Sequence, residues 1–177
     1  MMSPDDLPEA SCSEEAGVRY LHLGDTPWVQ GCMRVRKPTA IELEYVQRML
    51  AWLLWHEASD AAALQQLHTV QLGLGAASLT KFCTQELGCD NAAVELNPQV
   101  IAICSSWFAL APETPRSRVL CGDALDWVQD PHNANTVDAL MAQAQARRMR
   151  LITGKVLQDR HSPDGVRDET EQSLIDT

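Results

Sequence analysis

From residue 68 the chain alternates strands with helices, and that alternation limits the possible folds more than any other feature. "HTVQLGL" at 68–74 is an apolar run of strand length. Ser78 to Leu87 carries Leu79, Phe82, Cys83 and Leu87 at helical spacing, and Gly88 is placed to end that helix. "NAAVEL" at 91–96 reads as a second strand. Asn97-Pro98 supplies an N-cap and a first-turn proline, and Val100, Ile101, Cys104 and Phe108 form the next helical face. "RVLCGDA" at 118–124 reads as a third strand, "LDWVQ" as a short helical turn, and "NTVDAL" at 135–140 as the start of a fourth strand. Strands separated by helices pair in parallel through right-handed crossovers.

The stretch before residue 68 follows a different rule. "VRYLHL" at 18–23 and "WVQGCMRVR" at 28–36 alternate apolar and polar side chains around the turn signal "GDTP", which predicts a hairpin. Leu43, Val46, Leu50 and Leu53 predict a helix over about residues 40–57. "EASDAAALQQL" then reads as a linker or short helix. Residues 1–16 are polar and predict a loose tail. The domain plan is therefore a disordered tail at 1–16, a hairpin and helix at 17–66, and a partial parallel α/β unit at 67–140. A helix-prone segment at 141–150 and a polar tail complete residues 141–177.

Composition removes several function classes. A formal charge of -10 repels polyphosphate, which argues against a nucleic-acid partner. "MLAWLLW" at 49–55 is too short to span a bilayer, and the acidic N-terminus lacks a signal-peptide core, so a cytoplasmic setting is expected. Cysteines at 12, 32, 83, 89, 104 and 121 form no C-x-x-C and no zinc-type cluster, so no metal site and a reduced environment are expected.

Ligands of open parallel sheets sit outside the carboxyl ends of the strands. Gly73 and Gly75, in "TVQLGLGAASLTKF", let backbone approach a ligand where the first strand meets its helix. Only Gly-x-Gly is present, so a gripping turn and a bare structural turn both stand open. Glu95 ends the second strand twenty residues after Gly75, where a carboxylate can accept from both ribose hydroxyls; an exposed strand-end carboxylate is the plain alternative. Asp123 ends the third strand, where it can accept from an exocyclic amine or cap the helix that follows. The three fall at successive strand ends on one edge.

Together "VQLGLGAASLTKF", "AAVELNPQVIAICSSWF" and "SRVLCGDALDWV" resemble the nucleoside-binding motifs of Rossmann-like methyltransferase folds. With the preface "RYLHLGDTPWVQGCMRVRKPTAIELEYVQRMLAWLLWHE", the closer resemblance is to the spermidine synthase (polyamine aminopropyltransferase) family, over roughly residues 18–140. The resemblance implies an incomplete Rossmann-like, methyltransferase-type parallel sheet preceded by a small β-hairpin and helix. It implies that Gly73 and Gly75 lie against the amino-acid-like end of an S-adenosyl compound, Glu95 holds the ribose and Asp123 contacts the adenine. Gln30 matches a glutamine near the adenosyl substrate, and Tyr45 a tyrosine lining the amine site. The co-substrate would be decarboxylated S-adenosylmethionine, or S-adenosylmethionine itself, and the partner substrate a diamine such as putrescine.

Several positions depart from that family. The turn Gly75-Ala76-Ala77-Ser78 has no carboxylate for an aminopropyl group, and Val46 stands where a histidine often follows the tyrosine. No aspartate-bearing catalytic loop is found after Asp138, which lies at the start of its strand, so no catalytic residue is assigned. Residues 141–177 do not resemble the family, and the chain reads as its front part joined to a different tail, as in a truncated product or a short paralogue. Beside aminopropyl transfer, a non-catalytic adenosyl-binding or assembly module and a small-molecule methyltransferase remain as readings. A sheet ending at four strands predicts marginal stability or homo-oligomerisation through its open edge.

Overall fold

Two sheets organise the described residues, 7–54 and 60–142 of the computed structural model. The first is antiparallel, with β1 (Ala10–Glu15), β2 (Val18–Leu23) and β3 (Gly31–Arg34) side by side in that order. The hairpin expected over 18–36 is present, but a third strand extends it. Residues 10–15, expected to belong to a loose tail, form β1. The tight turn Ala16-Gly17 explains how: both residues have positive φ, 51° and 78°, the twist that suits a two-residue hairpin. An edge strand can be polar along most of its length, because its backbone bonds do not depend on side-chain character. Of β1 only Ala10 is buried.

The single helix expected over about 40–57 is also different. Its described part is a short helix, α1 (Glu44–Arg48), followed by a 3₁₀ turn, Ala51–Leu54. Leu43 stands at the N-cap and offers no capping side chain, so the start is weak. The apolar stripe still packs as its spacing predicts. Val46 is buried in a cluster with Leu67, Leu79, Cys83, Cys89 and Met141, and Leu43 and Leu50 pack against it. A short helix, α2 (Ala61–Leu64), follows, capped by Asp60.

The second sheet is fully parallel, in the order β6-β5-β4-β7. Its strands are β4 (His68–Leu72), β5 (Asp90–Glu95), β6 (Ser117–Cys121) and β7 (Ala139–Ala142). α3 (Ser78–Lys81) continues into a π turn, Phe82–Glu86; α4 (Pro98–Trp107) and α5 (Ala124–Gln129) link the remaining strands. Asn97 caps α4 by accepting from the Gln99 N–H at 2.9 Å, with Pro98 in the first turn. The fourth strand starts later than residue 135. Asn135 takes a left-handed turn at φ 58°, and Asp138 precedes the strand. Met141 and Ala142, expected to open a helix-prone segment, instead pair with Gln71 and Leu72 of β4. The rest of the segment expected at 141–150, and the polar tail beyond it, lie outside the described residues.

Both sheets meet at one tight contact. Ala10, Leu21 and Met33 of the antiparallel sheet are buried with Leu74, Ala76, Ala77, Ala93, Val100, Cys104 and Phe108. Gly31 sits where a Cβ would stand 2.6 Å from the Ala76 nitrogen and 2.7 Å from its Cβ. Gly31→Ala should therefore force backbone apart and lower stability by about 2 kcal/mol. Urea denaturation measures this, and an unchanged midpoint would show that the contact yields freely. Ala77, by contrast, is a non-glycine residue held at φ 56°. Ala77→Gly should relieve left-handed strain and raise the urea midpoint, by about 0.5–1 kcal/mol. A lower midpoint would mean that the buried methyl outweighs the strain.

Candidate functional site

β4 lies inside its sheet, with β5 on one side and β7 on the other, so the order of strands reverses next to it. Such a reversal opens a crevice at the carboxyl ends of the strands. The Gly73–Gly75 turn leaves β4 there with positive φ at both glycines, 87° and 53°. The Gly73 N–H donates to the Val94 carbonyl at 2.8 Å, and the Gly122 N–H to the Glu95 carbonyl at 2.9 Å. These bonds tie the tips of β4, β5 and β6 together. Gly73, Gly75, Glu95 and Asp123 thus share one edge of the sheet.

Glu95 does more here than a strand-end carboxylate need do. It is buried, and its Oε2 accepts from the Leu74 N–H at 2.8 Å while Oε1 accepts from the Asn97 N–H at 2.8 Å. One side chain therefore fixes both the glycine turn and the entry to α4. Each oxygen keeps a further lone pair for another donor. Asp123 uses Oδ1 to accept from the Leu125 N–H at 2.7 Å and caps α5, so the capping role foreseen for it is occupied. Its Oδ2 accepts no hydrogen bond among the described residues.

The turn is braced from behind by residues that sequence reasoning took only as core or did not single out. The Gln71 Nε2 donates to the Gly73 carbonyl at 2.6 Å and to the Leu74 carbonyl at 3.0 Å, and its Oε1 accepts from the Thr80 hydroxyl at 3.0 Å. The Cys104 thiol donates to the Gly75 carbonyl at 3.0 Å. Burial pushes that thiol up to about 12, so it stays a donor. Lys81 is 1% exposed, and its Nζ donates to the Phe108 carbonyl at 2.7 Å, which joins α3 to the end of α4. Burial lowers its ammonium to about 8. A polar residue inside an apolar run, as in "TVQLG", was the available signal: such a group is retained when a backbone turn needs its hydrogen bonds.

Gln30 and Tyr45 meet next to this turn. The Tyr45 hydroxyl donates to the Gln30 carbonyl at 3.2 Å, and the Gln30 Nε2 lies 3.5 Å from the Thr26 hydroxyl. With Gln71, Gly75, Ala76 and Ser78 they line a cleft of about 10 Å³. That is space for about one water. No carboxylate lines the cleft among the described residues. Asp138 is elsewhere. Its Oδ2 accepts from the His68 N–H at 2.8 Å, at the amino end of β4, and its own N–H donates to the His68 carbonyl. Among the described residues no group of three His, Cys, Asp or Glu side chains could hold a metal, and no helix is long and apolar enough to cross a membrane.

Comparison with known proteins gives the same frame. No protein-family profile matches the chain. A polyamine aminopropyltransferase of Chromobacterium violaceum is 33% identical over 124 residues, covering 70% of this chain and 44% of that protein. One of Neisseria meningitidis is 34% identical over 133 residues, covering 74% of this chain and 48% of that protein. The crystal structure of a probable spermidine synthase from Corynebacterium glutamicum superposes with a TM-score of 0.57 at 19% identity, covering 68% of this chain and 43% of that one. The fold is thus a Rossmann-like parallel α/β sheet of the spermidine synthase and methyltransferase type, with a small antiparallel sheet before it. The chain itself is a homologue of the polyamine aminopropyltransferases, the spermidine synthase family, and spans a little under half the length of the curated relatives it matches.

Proposed function

We propose that this protein binds an adenosyl compound at the Gly73–Gly75 turn and serves aminopropyl transfer from decarboxylated S-adenosylmethionine to a diamine such as putrescine. What supports the reading is the convergence of three strand tips: the turn, Glu95 bonded to the Leu74 N–H, and Asp123 with a spare oxygen. In this reading Glu95 receives the ribose hydroxyls, Asp123 the adenine amine, Gln30 lies near the adenosyl compound and Tyr45 lines the amine site. In the transfer the amine nitrogen bonds to the carbon beside the sulfonium as the carbon–sulfur bond breaks and 5′-methylthioadenosine leaves. A base must take the amine proton. A cytoplasmic setting belongs to the same reading.

A second reading, a non-catalytic adenosyl-binding module, is favoured by one observation: the neutral lining of the Gln30–Tyr45 cleft. A diamine carries ammonium groups, whose desolvation calls for carboxylate partners. Calorimetry with S-adenosylmethionine, its decarboxylated form and 5′-methylthioadenosine, followed by a putrescine turnover assay, separates the two. Binding with turnover gives the enzyme, and binding without it gives the module. No heat from any of the three rejects the adenosyl site altogether.

A further inference from the structure

A second, larger hollow of about 610 Å³ lies between the strap at residues 36–41, the helical stretch from α1 to Leu50 and the π turn after α3. No residue lines both this hollow and the Gln30–Tyr45 cleft. Its volume is within the range of small-molecule sites. Ile41, Leu50 and Phe82 give it apolar walls, and Arg36 and Lys37 stand at its margin. Their neighbours are different: the Arg34 guanidinium is held in a fork by both oxygens of Glu42, and Arg48 pairs with Glu44. Among the described residues, neither Arg36 nor Lys37 takes an ion-pair partner. The charge of Lys37 reaches Glu42, but that carboxylate is already committed to Arg34. Two unpaired cations beside an apolar wall stand out in a chain of net charge -10.

We propose that this hollow is a binding site for an amphipathic anion, a small molecule with an aromatic body and a carboxylate or phosphate head. The ring lies against Phe82 and Leu50, and the head is taken by the Arg36 guanidinium and the Lys37 ammonium, donors suited to either group. Glu86 also lines the hollow and opposes the anion. It weakens binding and so sets a second, opposite signature. The site is independent of the adenosyl reading.

Titration of the full chain with phenylacetate, phenyl phosphate and the neutral 2-phenylethanol tests this, followed by calorimetry and by amide shifts at residues 36–41 and 82–86. At least one anion should bind at least tenfold more tightly than the alcohol and move both segments. Which anion binds better names the head group. Arg36→Gln with Lys37→Gln, both at exposed positions, should weaken that binding at least tenfold at unchanged circular dichroism, and Glu86→Gln should tighten it several-fold. Equal binding of the alcohol, no shift with either anion, or an affinity indifferent to the double substitution overturns the proposal.

Discussion

Glu95→Gln should lower the free energy of unfolding by about 3 kcal/mol, more than any other single substitution considered for this site. The carboxylate satisfies two backbone N–H groups in a buried place, those of Leu74 and Asn97, each at 2.8 Å. Glutamine has the same size but one acceptor oxygen. Its amide NH₂ would face one of those donors, leaving a buried N–H unsatisfied and two donors in opposition. Hydrogen bonds to a charged group contribute about 1.5–3 kcal/mol each, so the loss of one and the weakening of the other give this size. Urea denaturation measures it, and a variant within about 0.5 kcal/mol of the parent would mean that the turn does not depend on Glu95. The same coupling bears on ligand studies. Glu95→Ala should weaken adenosyl binding by roughly 1–3 kcal/mol if ribose bonds are real, but the binding must be read where the variant is still folded, because the turn itself loosens.

Lys81 predicts an unusual pH dependence. Its folded value is lowered by burial to about 8 from an ordinary 10.5. Below pH 8 both folded and unfolded chains carry the proton, and the cost of burying the charge is constant. Between 8 and 10.5 the unfolded chain still binds a proton that the folded chain has released. Stability contributed at this residue therefore rises with pH through that window, by about 3 kcal/mol in all at about 1.4 kcal/mol per unit. Lys81→Met fills similar space without a charge. The parent-minus-variant difference in unfolding free energy should climb from pH 8 to 10.5, while other titrations cancel between the two chains. Parallel profiles would show that the ammonium is solvated. At pH 7.5 the variant should hold its own, since what it loses in the bond to the Phe108 carbonyl it recovers by burying no charge.

How much of this was legible beforehand differs by element. The strands at β4, β5 and β6 and the start of α4 were readable because each rests on local chemistry: apolar runs of strand length, an Asn-Pro entry, a glycine after a helix. The pairing of β1 was not, because Ser11, Ser13 and Glu14 look like tail residues until Ala16-Gly17 turns them back onto β2. Among the described residues α1 is shorter than its apolar spacing predicts, since Leu43, Val46 and Leu50 share a face whether the backbone is α-helical or tightens to a 3₁₀ turn. At the site, the positions of Gly73, Gly75, Glu95 and Asp123 along one edge follow from parallel alternation alone. The partners of Glu95 do not: a side chain that bonds Leu74, twenty-one positions away, answers to strand register, which no local pattern encodes.

The sequence by itself determined the alternation of strands and helices from β4 to β6, the glycine turn and the ends at which the carboxylates fall, because periodicity and capping act over a few residues. Tertiary structure alone decided that Glu95 and Gln71 brace the turn, that Lys81 is buried, and that Gly31 must remain bare against Ala76. Those facts depend on which distant backbones are brought within hydrogen-bond or van der Waals distance, and only the packed arrangement of the two sheets sets that.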